Sequence, residues 1–155
     1  MSRIFIIGSG VVGTATGRGL IKAGHEVTFV DVLPSRLREL SKEGFDTTAR
    51  IELPDEAGFL FITLPTPHDG RHYDLTAFDN GVATVGRALA KSPVSHTVVV
   101  RSTVPPGTTE DRVRPMLERE SGLRCGQDFT LASNPEFLRA ASAAEDFRFP
   151  WMTVI

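Results

Sequence analysis

Short apolar runs alternate with longer amphipathic stretches along the chain. The runs have strand length and are continuously apolar, which is typical of parallel strands covered by helices on both faces. They are Ile4–Ile7, Val27–Val30, Phe59–Leu64, Thr97–Val100, Phe129–Ala132 and Met152–Ile155. The pattern predicts an α/β fold, a doubly wound and mostly parallel sheet with helices on both faces, in a single domain.

The amphipathic stretches predict four helices, each beginning beside a small or capping residue. They are Val11–Ala23, Ser35–Glu43, Leu75–Lys91 and Thr108–Glu120. Thr108 is expected to cap the last of them through its hydroxyl. The residues from 44 to 58 have a weaker pattern. They predict a short edge strand at Asp46–Arg50 and a single helical turn at Pro54–Glu56. Trp151 is expected in the core or at a domain interface.

Length, charge and cysteine content exclude several classes of protein. A chain of 155 residues predicts one domain, residues 1–155, and a net charge of −2 gives no basic surface for nucleic acid or an anionic membrane. No apolar run approaches the roughly 18 residues of a membrane span. One cysteine cannot form an internal disulfide. These features favour a cytoplasmic protein.

A glycine motif follows the first predicted strand and opens the first predicted helix. Residues 8–13 read Gly-Ser-Gly-Val-Val-Gly. In a Rossmann-type fold, Gly8 makes the tight turn, Gly10 lets the backbone approach a pyrophosphate, and Gly13 lets helix and strand pack closely. The helix N-terminus at Val11 and Val12 offers free N–H groups to the phosphates. The motif predicts a dinucleotide site; its alternative is an ordinary strand-to-helix turn.

An acidic residue in the right place supports this interpretation. Asp31 lies 18 residues after Gly13, at the end of the second predicted strand. A carboxylate there accepts hydrogen bonds from the adenosine ribose and repels a 2′-phosphate, which favours NAD over NADP. Arg36 is a second candidate for cofactor binding, although a cation there also tolerates a 2′-phosphate.

Three further segments carry a family resemblance. They are Leu64-Pro65-Thr66-Pro67, then residues 102–109 reading Ser-Thr-Val-Pro-Pro-Gly-Thr-Thr, then residues 134–139 reading Asn-Pro-Glu-Phe-Leu-Arg. In this order behind the glycine motif, they resemble the UDP-glucose/GDP-mannose dehydrogenase family over nearly the whole chain. The resemblance implies oxidation of a nucleotide sugar's primary alcohol to a carboxylate, with two NAD and a cysteine thioester, as in polysaccharide biosynthesis.

The resemblance also implies roles for residues. Leu64, Pro65, Thr66, Ser102 and Thr103 would line the nicotinamide half of the cofactor site. The residues Glu136, Phe137, Leu138 and Arg139 would meet the nucleotide sugar, the substrate partner.

Glu136 and Thr103 are the candidate catalytic residues. Thr103 follows a predicted strand, at the sheet edge where ligands bind, and is expected to contact ligand or water. Glu136 follows another predicted strand; desolvation there would raise its pKa into the range of a general base, and the family's glutamate would activate the hydrolytic water. The alternative is a surface glutamate favoured by a helix dipole.

The chain departs from the family pattern in three ways. Ala140-Ala141 stand where the family usually has Glu-Gly, which puts catalytic competence in doubt. Residues 41–58 are shorter than the family's usual stretch. The nucleophilic cysteine lies in a C-terminal catalytic half that this chain lacks, so the isolated chain is expected to bind NAD without turnover. Cys125 has no His or Lys beside it to activate it.

Other interpretations remain open at this stage. His68 and His72 lack a full ligand set, so no metal is expected. A non-catalytic module that binds NAD or a sugar nucleotide is the main alternative, and Ala140 favours it. A β-hydroxyacid-type dehydrogenase would share the glycine motif but leaves residues 135–138 unexplained.

Overall fold

Six parallel strands form one sheet at the centre of the molecule. The computed structural model describes residues 1–150 and 152–155. The strands are β1 (Arg3–Ile7), β2 (Glu26–Val30), β3 (Asp46–Thr48), β4 (Gly58–Ile62), β5 (Thr97–Val100) and β6 (Thr130–Ser133). Their spatial order is β3-β2-β1-β4-β5-β6, with every neighbouring pair parallel. This is the Rossmann order, and the chain reverses its winding direction between β1 and β4.

Helices cover both faces of the sheet. They are α1 (Val11–Lys22), α2 (Pro34–Lys42), α3 (Thr76–Leu89), α4 (Arg114–Ser121) and α5 (Ala143–Arg148). A π-helical turn at Thr109–Val113 precedes α4, and a 3₁₀ turn at Ala140–Ser142 precedes α5. Within α4, Pro115 has no N–H to donate to the carbonyl four residues earlier, which explains why this helix does not begin as a regular α-helix.

The continuous apolar runs of the strands are explained by two separate cores. Phe5 and Ile7 of β1 pack with α3 and α4 on one face, in a core that includes Phe78 and Leu117. The alternating residues Ile4 and Ile6 point to the other face and pack with β2 and α2 in a second core. Because successive side chains of a strand point to opposite faces, both sets must be apolar when both faces are covered.

The predicted α/β architecture is confirmed, and five of the six predicted strands are present, β5 with its predicted ends and the other four with shifted ends. The fourth element in space, β4, ends at Ile62 rather than Leu64, so Thr63 and Leu64 leave the sheet. The predicted edge strand near Asp46 is present as β3. Three of the predicted helices correspond to α1, α2 and α3, and the fourth to the π-helical turn together with α4.

Three local predictions are wrong. Met152–Ile155 is not a strand; it lies beyond β6 with Ile155 91% exposed, so its apolar residues are not buried by any strand pairing. Pro54–Glu56 forms no helical turn, because no backbone hydrogen bond closes one there within the described residues. Thr108 precedes the π-helical turn, but its hydroxyl makes no capping hydrogen bond.

Helix α5 was not predicted. It has only six residues and packs against α1, where the ring of Phe147 lies against Gly19. A Cβ on Gly19 would come within 2.0 Å of that ring, so the contact requires glycine. Trp151, which the sequence placed in the core or at an interface, lies outside the described residues.

Candidate functional site

The carboxyl ends of the strands form a cleft of about 800 Å³. It opens where β1 and β4 lie side by side, the switch point at which open parallel sheets bind ligands. Most of the predicted cofactor residues line it, namely Gly8, Gly10, Val11, Val12, Asp31, Leu64, Pro65, Thr66, Ser102 and Thr103. The predicted catalytic residue Glu136 lines it as well. Gly13 and Arg36 do not.

The three glycines of residues 8–13, the glycine loop, have three different environments: Gly8 and Gly10 lie between β1 and α1, and Gly13 lies in the first turn of α1. Gly8 has a φ of +96°, which side chains rarely adopt, and it makes the turn out of β1. A Cβ on Gly13 would lie 2.0 Å from the Gly8 carbonyl oxygen, so glycine is needed where α1 crosses the strand end. Gly10 faces open space, with nothing within 4 Å of a Cβ position. Backbone N–H groups at the start of α1 are therefore accessible to an anion.

The Asp31 carboxylate lies beside the glycine loop. It accepts hydrogen bonds from the Ser9 amide at 2.7 Å and from the Leu33 amide at 2.9 Å. The side chain is half-buried and lines the cleft. A carboxylate fixed by two backbone amides keeps further lone pairs for the hydroxyls of a ribose.

Arg36 lies behind the glycine loop rather than in the cleft wall. Its guanidinium donates to the Ser9 carbonyl and to the Thr14 hydroxyl, both at 2.7 Å, and to Glu39 at 2.9 Å. The backbone of Ser9 is thus held at two points: Asp31 accepts from its N–H, and Arg36 donates to its carbonyl oxygen. This arrangement stabilises the loop, and a direct contact between Arg36 and cofactor stays a prediction.

Hydroxyl groups connect the loops that follow β4 and β5. Ser102 donates to the Leu64 carbonyl at 2.7 Å, and Thr66 donates to the Thr103 carbonyl at 2.5 Å. Thr63, which sequence reasoning missed, donates to the Gly8 carbonyl at 2.6 Å and so ties β4 to the glycine loop. A hydroxyl-bearing residue inside the otherwise apolar run Phe59–Leu64 was the available signal. The side chain of Thr103 is exposed.

The segment that carries Glu136 follows β6 and has no regular secondary structure. Glu136 accepts a hydrogen bond from the Leu138 amide at 2.5 Å. Arg139 donates to Asp146 through its backbone amide and its guanidinium, at 2.9 Å and 2.7 Å. These hydrogen bonds hold the pKa of Asp146 well below its usual range.

A second cavity, of about 610 Å³, lies on the other side of this segment. Its wall includes the four predicted substrate residues, Glu136, Phe137, Leu138 and Arg139. Glu136 therefore borders both spaces. Arg101, which sequence reasoning missed, also lines this cavity, and burial lowers the pKa of Arg101 while the charge of Glu136 opposes that effect. A charged residue directly after the apolar run Thr97–Val100 was the signal.

The remaining candidates for chemistry lie away from the cleft. Burial raises the pKa of the Cys125 thiol, which is the reverse of what an activated nucleophile needs. His68 and His72 lie in an exposed loop with Asp69. Across residues 1–150 and 152–155, no three His, Cys, Asp or Glu side chains come together as a metal site. In the same residues, no helix has the length and hydropathy needed to cross a membrane.

Two models of known protein families match parts of this chain. Residues 41–155 match a family model described as "UDP-glucose/GDP-mannose dehydrogenase family, NAD binding domain". Residues 3–69, which contain the glycine loop and Asp31, also match a model described as "NADP oxidoreductase coenzyme F420-dependent".

Curated proteins of similar sequence are nucleotide-sugar dehydrogenases by name. The chain is 37% identical to GDP-mannose 6-dehydrogenase from Azotobacter vinelandii, over 99% of this chain and 40% of that protein. It is 35% identical to UDP-glucose 6-dehydrogenase from Haloferax volcanii, over 94% of this chain and 38% of that protein. The first alignment has 176 positions against 155 residues here, so that relative has residues which this chain lacks.

A solved structure agrees with these matches. GDP-mannose dehydrogenase from Pseudomonas aeruginosa, crystallised as a ternary complex, superimposes with a TM-score of 0.82 at 33% identity. The alignment covers 97% of this chain and 39% of that one. The chain thus spans about 40% of the length of the relatives it matches.

Proposed function

The chain belongs to the UDP-glucose/GDP-mannose dehydrogenase family, and we propose that it forms the NAD-binding part of a nucleotide-sugar 6-dehydrogenase. NAD is its cofactor. The proposed reaction oxidises the sugar 6-hydroxyl to a carboxylate. This oxidation removes four electrons, and each NAD accepts two of them as a hydride, so two NAD are reduced for each sugar.

One observation carries the proposal: a single cleft contains both the features of a dinucleotide site and a carboxylate suited to acid–base chemistry. Asp31 follows β2 and Glu136 follows β6, and three strands separate these two. Four strand spacings amount to about 19 Å. An extended dinucleotide that binds Asp31 through its adenosine ribose therefore reaches toward Glu136 with its nicotinamide end.

The residues present fit the cofactor. Free N–H groups at the start of α1, beside the unobstructed Gly10, would hold the pyrophosphate. Asp31 would accept hydrogen bonds from the adenosine ribose hydroxyls, and Thr66, Ser102 and Thr103 would surround the nicotinamide half. NAD supplies the hydride acceptor when it is bound.

Glu136 would act on protons rather than on the cofactor. As a carboxylate at the border of the cleft, it would accept a proton from the water that hydrolyses a thioester intermediate. Thr103, with its exposed side chain, would hold that water or the substrate by hydrogen bonding. Phe137, Leu138 and Arg139 would contact the nucleotide sugar. We place this activity in the cytoplasm, where NAD and nucleotide sugars occur.

The second candidate function is a binding module that holds NAD or a sugar nucleotide without catalysis. The observation that favours it is Ala140-Ala141, where the family usually has Glu-Gly. The two candidates share the cofactor cleft, so NAD binding alone does not distinguish them. Oxidation of a nucleotide sugar with formation of NADH does distinguish them.

The distinguishing experiment is a chimera in which this chain replaces the matching part of the Azotobacter vinelandii enzyme. We expect NADH to form with GDP-mannose or UDP-glucose. Replacing the proposed base by Glu136→Gln should lower the rate about 100-fold or more. The control Glu145→Gln, an exposed carboxyl on α5, should leave it unchanged.

A negative result has a clear meaning if the chimera is folded and binds NAD. Absence of NADH formation, both in that chimera and in one carrying Ala140→Glu and Ala141→Gly, would contradict the dehydrogenase proposal and support the binding module. If activity appears only with these two substitutions, the natural sequence would be the non-catalytic binding module.

A further inference from the structure

Arg101 is a buried cation directly after β5. It is 9% exposed, and a charge in such a place is costly unless polar groups satisfy it. Across the described residues, no carboxylate oxygen lies within 4.0 Å of it as an ion-pair partner. Packing alone would be served as well by leucine or methionine. A buried guanidinium at this position therefore points to a role that depends on its hydrogen bonds and charge.

The guanidinium contacts three separate parts of the molecule. Its Nε donates to the Thr16 hydroxyl at 3.0 Å, on the buried side of α1. Its Nη1 donates to the Asn134 side-chain carbonyl, at the start of the segment that carries Glu136. Its carbon Cζ lies 5.6 Å from the centre of the Phe147 ring, on α5. The planar guanidinium donates hydrogen bonds in fixed, different directions and can lie over an aromatic ring at the same time. A lysine ammonium group lacks this fixed, planar arrangement of donors.

The Asn134–Arg139 segment has few other attachments at its start. The Asn134 amide donates to the Val100 carbonyl at 2.8 Å, and its side-chain amide donates to the Val154 carbonyl at 2.7 Å. Strand pairing ends with β6 at Ser133, and none follows in residues 135–150 and 152–155. The bond from Arg101 fixes the orientation of the Asn134 side chain and places a positive charge close to Glu136.

We infer that Arg101 is a positioning residue for Glu136, which it holds at the border of the cofactor cleft by joining α1, Asn134 and α5. This inference rests on the proposed function for the significance of Glu136. Since α1 begins at the glycine loop, the same contacts fix the distance between the carboxylate and the end of the helix that faces the pyrophosphate. Arg101 itself does not line the cofactor cleft.

The test compares Arg101→Met and Arg101→Lys in this chain by NMR. The first readout is hydrogen exchange at the Leu138 amide, which bonds to Glu136. The second is the ¹³C resonance of the Glu136 carboxyl, assigned with Glu136→Gln. We expect Arg101→Met to speed exchange at Leu138 at least about tenfold and to shift the carboxyl resonance, because the neighbouring cation is gone. Arg101→Lys should restore part of both.

The matched control is Arg112→Met, which removes an arginine of the exposed pair with Asp79 at 2.5 Å. It should leave both readouts unchanged. Affinity for NAD should stay within about twofold in all four proteins, so loss of NAD binding would indicate failure of the cofactor site rather than of this inference. Unchanged Leu138 exchange and an unchanged carboxyl resonance in folded Arg101→Met would overturn the inference.

A second variant covers the case in which Arg101→Met does not fold. Thr16→Val keeps the shape of the side chain and removes the acceptor of Nε. It should speed exchange at Leu138 to a smaller extent than loss of the whole guanidinium. The absence of any change at Leu138 in folded Thr16→Val would then overturn the inference.

Discussion

The glycine loop and the Asn134–Arg139 segment border the same cleft but are held in different ways. In the loop, Asp31 binds the Ser9 N–H, Arg36 binds the Ser9 carbonyl, and Thr63 binds the adjacent Gly8 carbonyl. The loop also leads directly from a strand into a helix. The segment, in contrast, leaves the edge strand β6 and is held after Asn134 mainly by side chains.

This difference separates two tasks. A pyrophosphate is bound by backbone N–H groups, so the loop must have one fixed backbone conformation before the cofactor arrives. Glu136 acts through a side chain whose position depends on contacts from neighbouring elements. Substitutions in the loop should therefore affect folding and NAD binding together, whereas substitutions around the segment should affect the segment alone.

The largest expected effect comes from Gly13→Ala. The new Cβ would meet the Gly8 carbonyl oxygen at 2.0 Å and the Thr63 hydroxyl at 2.7 Å. Such overpacking against backbone should lower the free energy of unfolding by about 3 kcal/mol. NAD binding should weaken by more than tenfold because the loop must shift. Urea unfolding and calorimetry measure the two effects.

Gly10→Ala is the matched control, since nothing lies within 4 Å of its Cβ position. Its stability should stay near that of the unsubstituted chain, while NAD binding weakens if the cofactor approaches this backbone. A wild-type urea midpoint for Gly13→Ala would show that the close approach of α1 to the strand end does not constrain the loop.

The next effect is mainly on cofactor binding, although Asp31→Ala also removes the acceptor of the Ser9 and Leu33 amides. Asp31→Ala removes an acceptor for the ribose hydroxyls, and a hydrogen bond to a charged group contributes about 1.5–3 kcal/mol. NAD affinity should fall about tenfold to a hundredfold, with NADP affected less. Calorimetric titrations with both cofactors measure this. Asp46→Ala, an exposed carboxylate on the edge strand β3, is the control. Equal losses for NAD and NADP would contradict the role assigned to Asp31.

The contrast between the two regions also explains what could be predicted from the sequence. The order of apolar runs and the glycine spacing predict the sheet, α1 and the place of Asp31, because local sequence determines each of these features. The inner residues Ile4 and Phe5 were predicted to be buried together since a parallel sheet buries both faces. The part of the cleft around the glycine motif and Asp31 was therefore accessible to sequence reasoning, whereas Thr63 was missed and Arg36 lies behind the cleft wall.

The parts that escaped prediction depend on contacts between distant residues. Arg101 meets Thr16 across 85 positions of sequence, and nothing in the local pattern indicates that pairing. Helix α5 is short and is stabilised by the contact of Phe147 with Gly19, again between distant positions. The predicted strand at Met152–Ile155 was wrong because an apolar pattern needs a neighbouring strand to become one.

A smaller effect, on the pH dependence of stability, should come from His96. This residue lies at the amino ends of the strands, opposite the cleft, directly before β5. Its ring is buried, with Nδ1 accepting from the Gly58 amide at 3.2 Å and Nε2 bonded to the Ser92 hydroxyl at 2.8 Å. Burial lowers the pKa of His96 in the folded state. The unfolded chain therefore binds the proton first as the pH falls below about 6.5, and stability is lost toward lower pH.

The variant His96→Asn keeps an acceptor for the Gly58 amide without a titrating ring. The loss of unfolding free energy between pH 7 and pH 5 should be smaller in this variant. His72→Asn, in an exposed loop, is the control. Because His96 touches neither region of the cleft, NAD affinity at pH 7 should be unchanged; a steeper pH dependence in His96→Asn would contradict the assigned neutral ring.

The smallest expected effect is confined to the Asn134–Arg139 segment. Asp146→Asn removes the charge that binds the Arg139 guanidinium and weakens the acceptor of the Arg139 amide. The folded-state pKa of Asp146 is lowered, so its contribution is present above the unfolded value near 3.8 and is lost as the pH falls. Because the Arg139 side chain is 78% exposed, solvent weakens its ion pair with Asp146, and exchange at the Arg139 amide at pH 7 should rise by less than about tenfold. Glu145→Gln on the same helix should not change the exchange rate of that amide.

The affinity for NAD should be unchanged in Asp146→Asn, because the glycine loop is held independently. A loss of NAD affinity comparable to that of Asp31→Ala would mean that the two regions act as one unit, and the distinction between them would be wrong.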